Sequence, residues 1–446
     1  VGARVAMAAP PLSLSHLSLA LSGALSADAS VRTPFEQALR EWESSSGYML
    51  ALLSLYEAGV GRSERLLALL CLKAAVDRRW NERKEAAVGA EEKAGVRARL
   101  LAACDETEST LASQIVLIVA NIARLEGLDA WPELLPALTA AAARSEPVEA
   151  ARGLAALYRV IKLQAAKRLM AHRRAFFALA AQLHPPVAAL RTAHCRAVFS
   201  TAASASGAEW LVTAGAPIQQ CALLALKLER QLLLNGYAHL HTSPIAITAL
   251  SDTLAAASAA CATATALRRD GAVGSAHVLE LALVAAKTLM EVQELQAIAF
   301  GGYLPAPDAL DECSSGGLTA RTLEGAIQLA CNELARRPFT PGEADTSEKL
   351  LVRLLLLVRN ACTCNAYAAA AQNVHQPHGR PPLPQVSRRD RDGSRMTQRW
   401  RGLGSRPMGH AVVYMGERRR TRPLRQMTRR HLSAKPLCAP SCTLPP

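Results

Sequence analysis

Few residues of this 446-residue chain stand at spacings that support chemistry. His239 and His241 make an HxH pair, and Cys362 and Cys364 a CxC pair. A zinc site needs three or four converging N, S or O ligands. No Cys or carboxylate cluster accompanies the histidines, and the two thiols face different sides of any helix. Metal ligation is not expected, and no cofactor is implied. HExxH, GxSxG, GxxxxGKS/T and a strand-borne GxGxxG are all missing. That removes zinc hydrolysis, the nucleophile elbow, the phosphate loop and dinucleotide binding as readings of the sequence. No catalytic residue is proposed, and the chain reads as a non-enzyme.

What remains is the chemistry of recognition. In a helix expected over 63–79, Leu69, Lys73, Asp77 and Trp80 follow at spacings of 4, 4 and 3. This stacking predicts a Lys/Asp pair beside an aromatic on one face. Lys before Asp is the less favourable order for a local pair, so contact with a partner is the sharper reading. Over 108–125, Leu111, Ile115, Ile118, Val119 and Ile122 cluster on one side, while Thr110, Ser113, Gln114, Asn121 and Arg124 form a polar stripe roughly 100° wide. Such a helix shows one narrow face to solvent, and that stripe is the candidate contact surface.

Positioning those side chains falls to helices. Residues 12–367 read as helix after helix, with almost no alternating β-branched runs. Thr33-Pro34-Phe35-Glu36 reads as an N-cap, a first-turn proline and a Glu at N3, so a helix is expected from 31 to 43 with Phe35, Ala38, Leu39 and Trp42 buried. A second helix runs to Glu57 and is stopped by Gly59 and Gly61. Ser63 is expected to cap the third. Further helices are expected over 91–104, 108–125, 131–144, 147–165, 168–183, 217–234, 244–268, 276–300, 318–337 and 347–370. Paired helices repeating at roughly 40–47 residues are the pattern of HEAT or armadillo arrays, with about eight pairs in the body. Periodicity alone also fits a compact multi-helix bundle.

Composition sharpens the picture. The net charge of +14 suggests a nucleic-acid partner until it is located. Residues 371–446 carry 16 Lys and Arg against 3 Asp and Glu, which leaves 35 against 34 in residues 1–370. The 11 cysteines are odd in number and scattered, which points to neither a disulfide framework nor a zinc ribbon. Residues 12–27 superficially resemble a signal peptide but lack a basic leader after Met7, so secretion is not expected. No uninterrupted run of about 18 apolar residues occurs, so no membrane span is expected. The chain starts at Val1 and not at Met, which suggests an incomplete gene model.

The segments Phe35-Glu36-Gln37-Ala38-Leu39-Arg40-Glu41-Trp42-Glu43, Leu72-Lys73 with Asp77-Arg78-Arg79-Trp80, and Gln114 through Trp131-Pro132-Glu133-Leu134-Leu135-Pro136 resemble the N-terminal domain of importin-beta family (karyopherin) transport receptors in order and spacing. The stretches 157–169, 223–237 and 355–367 are most similar to the importin-11 branch of that family. The family usually has a small residue where Phe35 stands and Asn where Ala74 stands, and its members are much longer. The resemblance implies an all-α HEAT/armadillo-type α-α superhelical solenoid. It further implies N-terminal repeats that bind the small GTPase Ran in its GTP form, protein cargo, nuclear pore proteins and shuttling between cytoplasm and nucleus. In that frame helices 31–43, 63–79 and 108–125 are the inner members of the first three repeats. Lys73, Asp77, Gln114, Asn121 and Arg124 then face Ran. Loss of later repeats would remove cargo surface and leave the last apolar helix without a neighbour.

The expected organisation is a disordered segment over 1–11, Ran-binding HEAT repeats over 12–145, further HEAT repeats over 146–370, and a basic, disordered Arg/Pro-rich tail over 371–446. The tail invites two readings. Its arginine clusters suit a nuclear-localisation or RNA-binding arm. The favoured reading is translation out of frame or into intron, because the resemblance stops where the composition changes. Two other function classes stay open: a HEAT scaffold without Ran binding, and a nucleic-acid binder that acts through the tail.

Overall fold

The computed structural model describes residues 11–59, 61–80, 88–202, 215–240, 243–269, 274–299, 315–339 and 342–363. The tail 371–446, Pro10 and everything before it, and His241 and Cys364 lie outside the described residues. Among the described residues there is no strand, and fourteen α-helices form seven antiparallel pairs. They are α1 (Leu14–Ala24) with α2 (Ala29–Trp42), α3 (Tyr48–Glu57) with α4 (Arg62–Arg79), and α5 (Ala90–Ala102) with α6 (Ser109–Glu126). Next come α7 (Leu134–Ala142) with α8 (Pro147–Ala165), α9 (Met170–Ala202) with α10 (Ala216–Asn235), α11 (Pro244–Arg269) with α12 (Ser275–Ala299), and α13 (Ser315–Ala335) with α14 (Ala344–Thr363). From α4 onward the second helix of each pair packs on the second helix of the next, giving one continuous layer. This is the HEAT-type α-α solenoid, with seven pairs described where about eight were expected.

Periodic burial explains the layer. Leu111, Ile115, Ile118, Val119 and Ile122 of α6 are all fully buried, as their spacing requires. Each such side chain contributes about 1.5–3 kcal/mol on leaving water. Gly59 ends α3 in the left-handed region at φ 72°, where a Cβ would be strained.

Four local expectations need correction. Thr33 is not a cap: α2 begins at Ala29, Asp28 accepts from the Ser30 amide at 2.8 Å, and the Thr33 hydroxyl donates to the Ala29 carbonyl inside the helix. Asp is as good a cap as any, and Pro34 removes only one ladder bond on an exposed side. Ser63 lies in the first turn of α4, whose N-cap is Gly61. The helix expected to stop at 183 runs on to Ala202 through Pro185 and Pro186. Burial of Leu183, Val187, Cys195 and Val198 holds both sides of the proline pair, and Ala181 and Gln182, whose carbonyls lose their donors, are exposed to water. Repeat spacing also stretches. Residues paired across the second-helix layer lie 44 apart at Asp77/Asn121 and 41 apart at Ala123/Gln164, then 61 apart at Arg230/Glu291 and 64 apart at Gln293/Leu357.

Two hydrophobic cores result. The first runs from Leu17 to Leu232 and contains Trp42, Tyr48, Trp80 and Trp131; the second runs from Cys195 to Leu357 and is dominated by alanine and leucine. α9 and α10 contribute to both. By length and composition α11 is apolar enough to cross a membrane. Its Ala249, Ala257, Ala260 and Ala264 are buried in the second core, and Asp252 pairs with Arg191 of α9 at 2.7 Å, which is how a core helix behaves.

Candidate functional site

Three of the five candidate residues form one chain across the seam between α4 and α6. The Asn121 side-chain amide donates through Nδ2 to Asp77 Oδ1. Its Oδ1 accepts from Arg124 Nε at 3.1 Å and Nη2 at 2.7 Å. Each end of the amide meets the partner its polarity requires, so carboxylate, amide and guanidinium are aligned on the surface of the second-helix layer. Asp77 and Arg124 are exposed and Asn121 half-buried. Such a row presents both charge signs at a fixed separation and can accept or donate toward a partner with little reorganisation.

The other two stand apart. Lys73 is half-buried and among the described residues has no carboxylate within 4 Å, so the Lys73/Asp77 pair does not form. Trp80 is not beside it either: it is 1 % exposed, under Lys93 Nζ at 5.6 Å from the ring centroid. At 100° per residue, Trp80 returns to within about 20° of Leu69 while Asp77 lies about 80° round, so the two apolar residues go inward together. Gln114 lies two turns before Asn121 on the same side of α6. Its Oε1 is shielded from solvent and meets no donor, an unused acceptor on the candidate face.

The surrounding groups hold the seam rigid. Glu108 caps α6 by accepting from the Thr110 and Leu111 amides at 3.1 and 3.0 Å and from Arg62 Nη2 at 3.0 Å. Desolvation opposes ionisation there, but these hydrogen bonds outweigh it and hold the carboxyl at about 2. Glu92 of α5 accepts from the Gly47 and Met49 amides at 2.9 and 3.0 Å, placing a buried carboxylate on the positive end of α3. Glu106 joins Tyr56 to Arg65. Sequence reasoning missed the Glu92 and Glu106 links because their partners lie 41 to 50 residues away, beyond any capping rule.

The α2–α4 side of the face carries a recess lined by Leu39, Tyr48, Leu67, Leu70 and Cys71, with Arg78 gripping Glu43 through two bonds of 2.6 Å at its rim. Burial pushes the Cys71 thiol up to about 11, so it behaves as a small hydrophobe. Among the described residues no three His, Cys, Asp or Glu side chains gather as a metal site would require.

Residues 35–105, from α2 to the short turn after α5, match the family model described as importin-beta N-terminal domain. Importin-11 of Homo sapiens and of Mus musculus are each 32 % identical over 222 residues, 50 % of this chain and 22 % of theirs. Over its N-terminal half the chain is similar to importin-beta family proteins. A further relative is the Saccharomyces cerevisiae importin beta-like protein KAP120, 36 % identical over 100 residues, 22 % of this chain and 10 % of its own. Two solved structures share the fold: Lph2, a bidirectional nuclear transport receptor of S. cerevisiae, at TM-score 0.58, 20 % identity and coverage of 79 % of this chain and 33 % of its own; and the exportin Cse1 in its cargo-free, cytoplasmic state, at 0.57, 14 %, 80 % and 35 %. The chain spans 22 % of the length of its importin-11 relatives. Lys73 and Asp77 fall inside the matched domain, while Gln114, Asn121 and Arg124 follow it on α6.

Proposed function

We propose that the chain is the N-terminal portion of a nuclear transport receptor, which binds Ran in its GTP form through the second-helix layer of its first repeats and works between cytoplasm and nucleus. The observation that carries this reading is the importin-beta N-terminal domain match over 35–105, which contains α4 and its Lys73 and Asp77. The Asp77–Asn121–Arg124 row supports it, because a preformed polar row is suited to a charged protein surface. Lys73 adds an ammonium that meets no carboxylate among the described residues. Protein cargo and nuclear pore proteins are the further partners on this reading, and the chemistry is binding without turnover.

The test is a titration of the full chain with Ran carrying a non-hydrolysable GTP analogue, and separately with GDP. Preference for the GTP form by at least about tenfold, reduced by Asn121→Ala and by Lys73→Glu, supports the reading; tenfold corresponds to about 1.4 kcal/mol. Equal binding of both forms, or none by a helical, monodisperse sample, transfers the support to a HEAT scaffold without Ran binding.

A further inference from the structure

One stretch of the folded body breaks its charge balance. Residues 150–208 contain nine Lys and Arg and no Asp or Glu. Arg191 is buried against Glu229 and Asp252. Lys162, Lys167, Arg168, Arg173 and Arg174 fall together where α8 ends, the chain turns and α9 begins. This corner is seated on the end of α6 by Gln164, whose Nε2 donates to the Ala123 carbonyl at 2.7 Å. Burial and then the charge of neighbouring Arg124 lower the Lys167 pKa, against the pull of Asp129. Lys162, Arg168, Arg173 and Arg174 are exposed, and among the described residues none has a carboxylate within 4 Å.

The same corner is apolar. Leu169 is 69 % exposed and Met170 59 %, directly between the cations. Both side chains keep most of their surface in water, so a partner that covers them gains what a purely ionic contact does not. The nearby rings are already faced by the protein's own cations, Tyr158 by Lys162 Nζ at 5.7 Å and Phe177 by Arg173 at 5.9 Å. They are not open platforms for stacked bases, as single-stranded nucleic acid would require. A phosphate backbone would use the charges and leave Leu169 and Met170 in water.

The geometry points to this α8–α9 corner as a docking surface for an acidic protein segment that carries aliphatic or aromatic side chains among its carboxylates. Its cations steer and orient the segment, and Leu169 and Met170 form the apolar centre of the contact, the usual division between rim and core. The surface stands independently of the GTPase reading, because none of the residues it uses belongs to the Asp77–Asn121–Arg124 row.

The experiment titrates the full chain with a fluorescein-labelled peptide alternating Glu with Leu and Phe, with a companion in which Ser replaces Leu and Phe, and with oligouridine. The alternating peptide binds more tightly than its companion, by about fivefold for 1 kcal/mol of apolar contact. The triple variant Lys162→Glu, Arg168→Glu, Arg174→Glu weakens it by about tenfold or more. Leu169→Ser with Met170→Ser weakens the alternating peptide about fivefold and leaves the companion unchanged. All five positions are exposed, so far-UV circular dichroism stays constant across the variants. Indifference of peptide binding to the triple variant overturns the proposal, because binding then resides elsewhere, as on the basic tail. Failure of the parent chain to bind the peptide overturns it as well, and so does oligouridine binding more tightly than the peptide with loss in the same triple variant.

Discussion

The two cores solve the same packing problem with different materials. In the first, helices of 9 to 19 residues up to α8 interdigitate through large side chains such as Trp80, Tyr48 and Ile115. Its polar groups serve as helix caps, as the Asp77–Asn121–Arg124 row and, between α5 and α6, as the Lys93 and Arg97 pairs with Glu126. In the second, helices of 20 to 33 residues meet through alanines such as Ala260, Ala282 and Ala286, and charged groups lie inside. Glu229 is fully buried, held by Arg191 Nε at 2.9 Å and lying 3.7 Å from His184 Nε2. Glu333 and Glu343, also buried, are gripped by Arg336 at 2.6 and 3.2 Å, and Arg268 reaches Glu343 at 3.2 Å. Alanine faces are smooth and permit sliding. Buried ion pairs add little stability over an apolar replacement but are costly to mismatch, so they can fix register where side-chain shape cannot. Shape specifies the first core, and charge complementarity the second.

The strongest way to break this contrast is Glu229→Ala. It leaves the buried Arg191 with Asp252 as its one carboxylate and should cost about 3 kcal/mol, seen as loss of hydrogen-exchange protection in α9–α11 while α3–α6 keep theirs. Uniform loss along the chain would show that the cores are not separable. Next, Ile118→Ala should cost about 2–5 kcal/mol through a cavity, while Ala260→Leu should cost about 1–3 kcal/mol through overpacking; thermal unfolding of each variant checks both. A neutral Ala260→Leu would mean that the second core is loosely packed. Glu92→Ala removes the cap on α3 and should cost about 1–2 kcal/mol, with exchange rising first at Met49 and its neighbours.

Acid should move the two regions in opposite directions. At Glu106 burial raises the pKa, but bonds from Tyr56, the Glu108 amide and Arg65 outweigh it, so the folded value lies below 4.5. Its stabilisation is complete above 4.5 and fades as pH falls through the lower folded value. At Glu333 desolvation outweighs Arg336, and the folded value lies above 4.5. There the folded state takes up the proton first, so the penalty present at neutral pH is relieved as pH falls toward 4.5. Region-resolved exchange between pH 7 and 4 should show α13–α14 gaining protection before α3–α6 lose it. The smallest expected change is Asn121→Ala, below about 0.5 kcal/mol in thermal unfolding, because its bonds lie at the surface.

Where a single face of large aliphatic residues repeated at helical spacing, as in α6, the sequence was enough to place the helix, its buried side and its polar stripe. The α4 reading failed on geometry: spacings of 4, 4 and 3 do not hold one direction, and Trp80 followed Leu69 inward. The helix expected over 168–183 runs on to Ala202, because burial on both sides of Pro185 and Pro186 overrides the local tendency of proline to end a helix. The Glu229 cluster joins His184 and Arg191 of α9, Glu229 of α10, Asp252 of α11 and Tyr237 from the turn after α10, and no window of sequence contains it. Alanine-rich helices carry weak amphipathic contrast, so the second core's faces were the least legible part of the fold.

The proline pair of α9 also bears on the order of folding. Once nucleated, a helix lengthens at roughly a nanosecond per residue, but growth that reaches Pro185 must go forward without two successive ladder bonds. The first core holds α9 on both sides of the pair, through Phe176, Ala180, Leu183 and Val187, and the second holds its last turns through Cys195 and Val198. The pair thus lies within the part of α9 that the first core holds, and the change from one core to the other falls between Leu190 and Cys195. As the chain leaves the ribosome, the first core can close on local partners while the remainder is still being synthesised, and α9 becomes the splice between an early-folding segment and a late one.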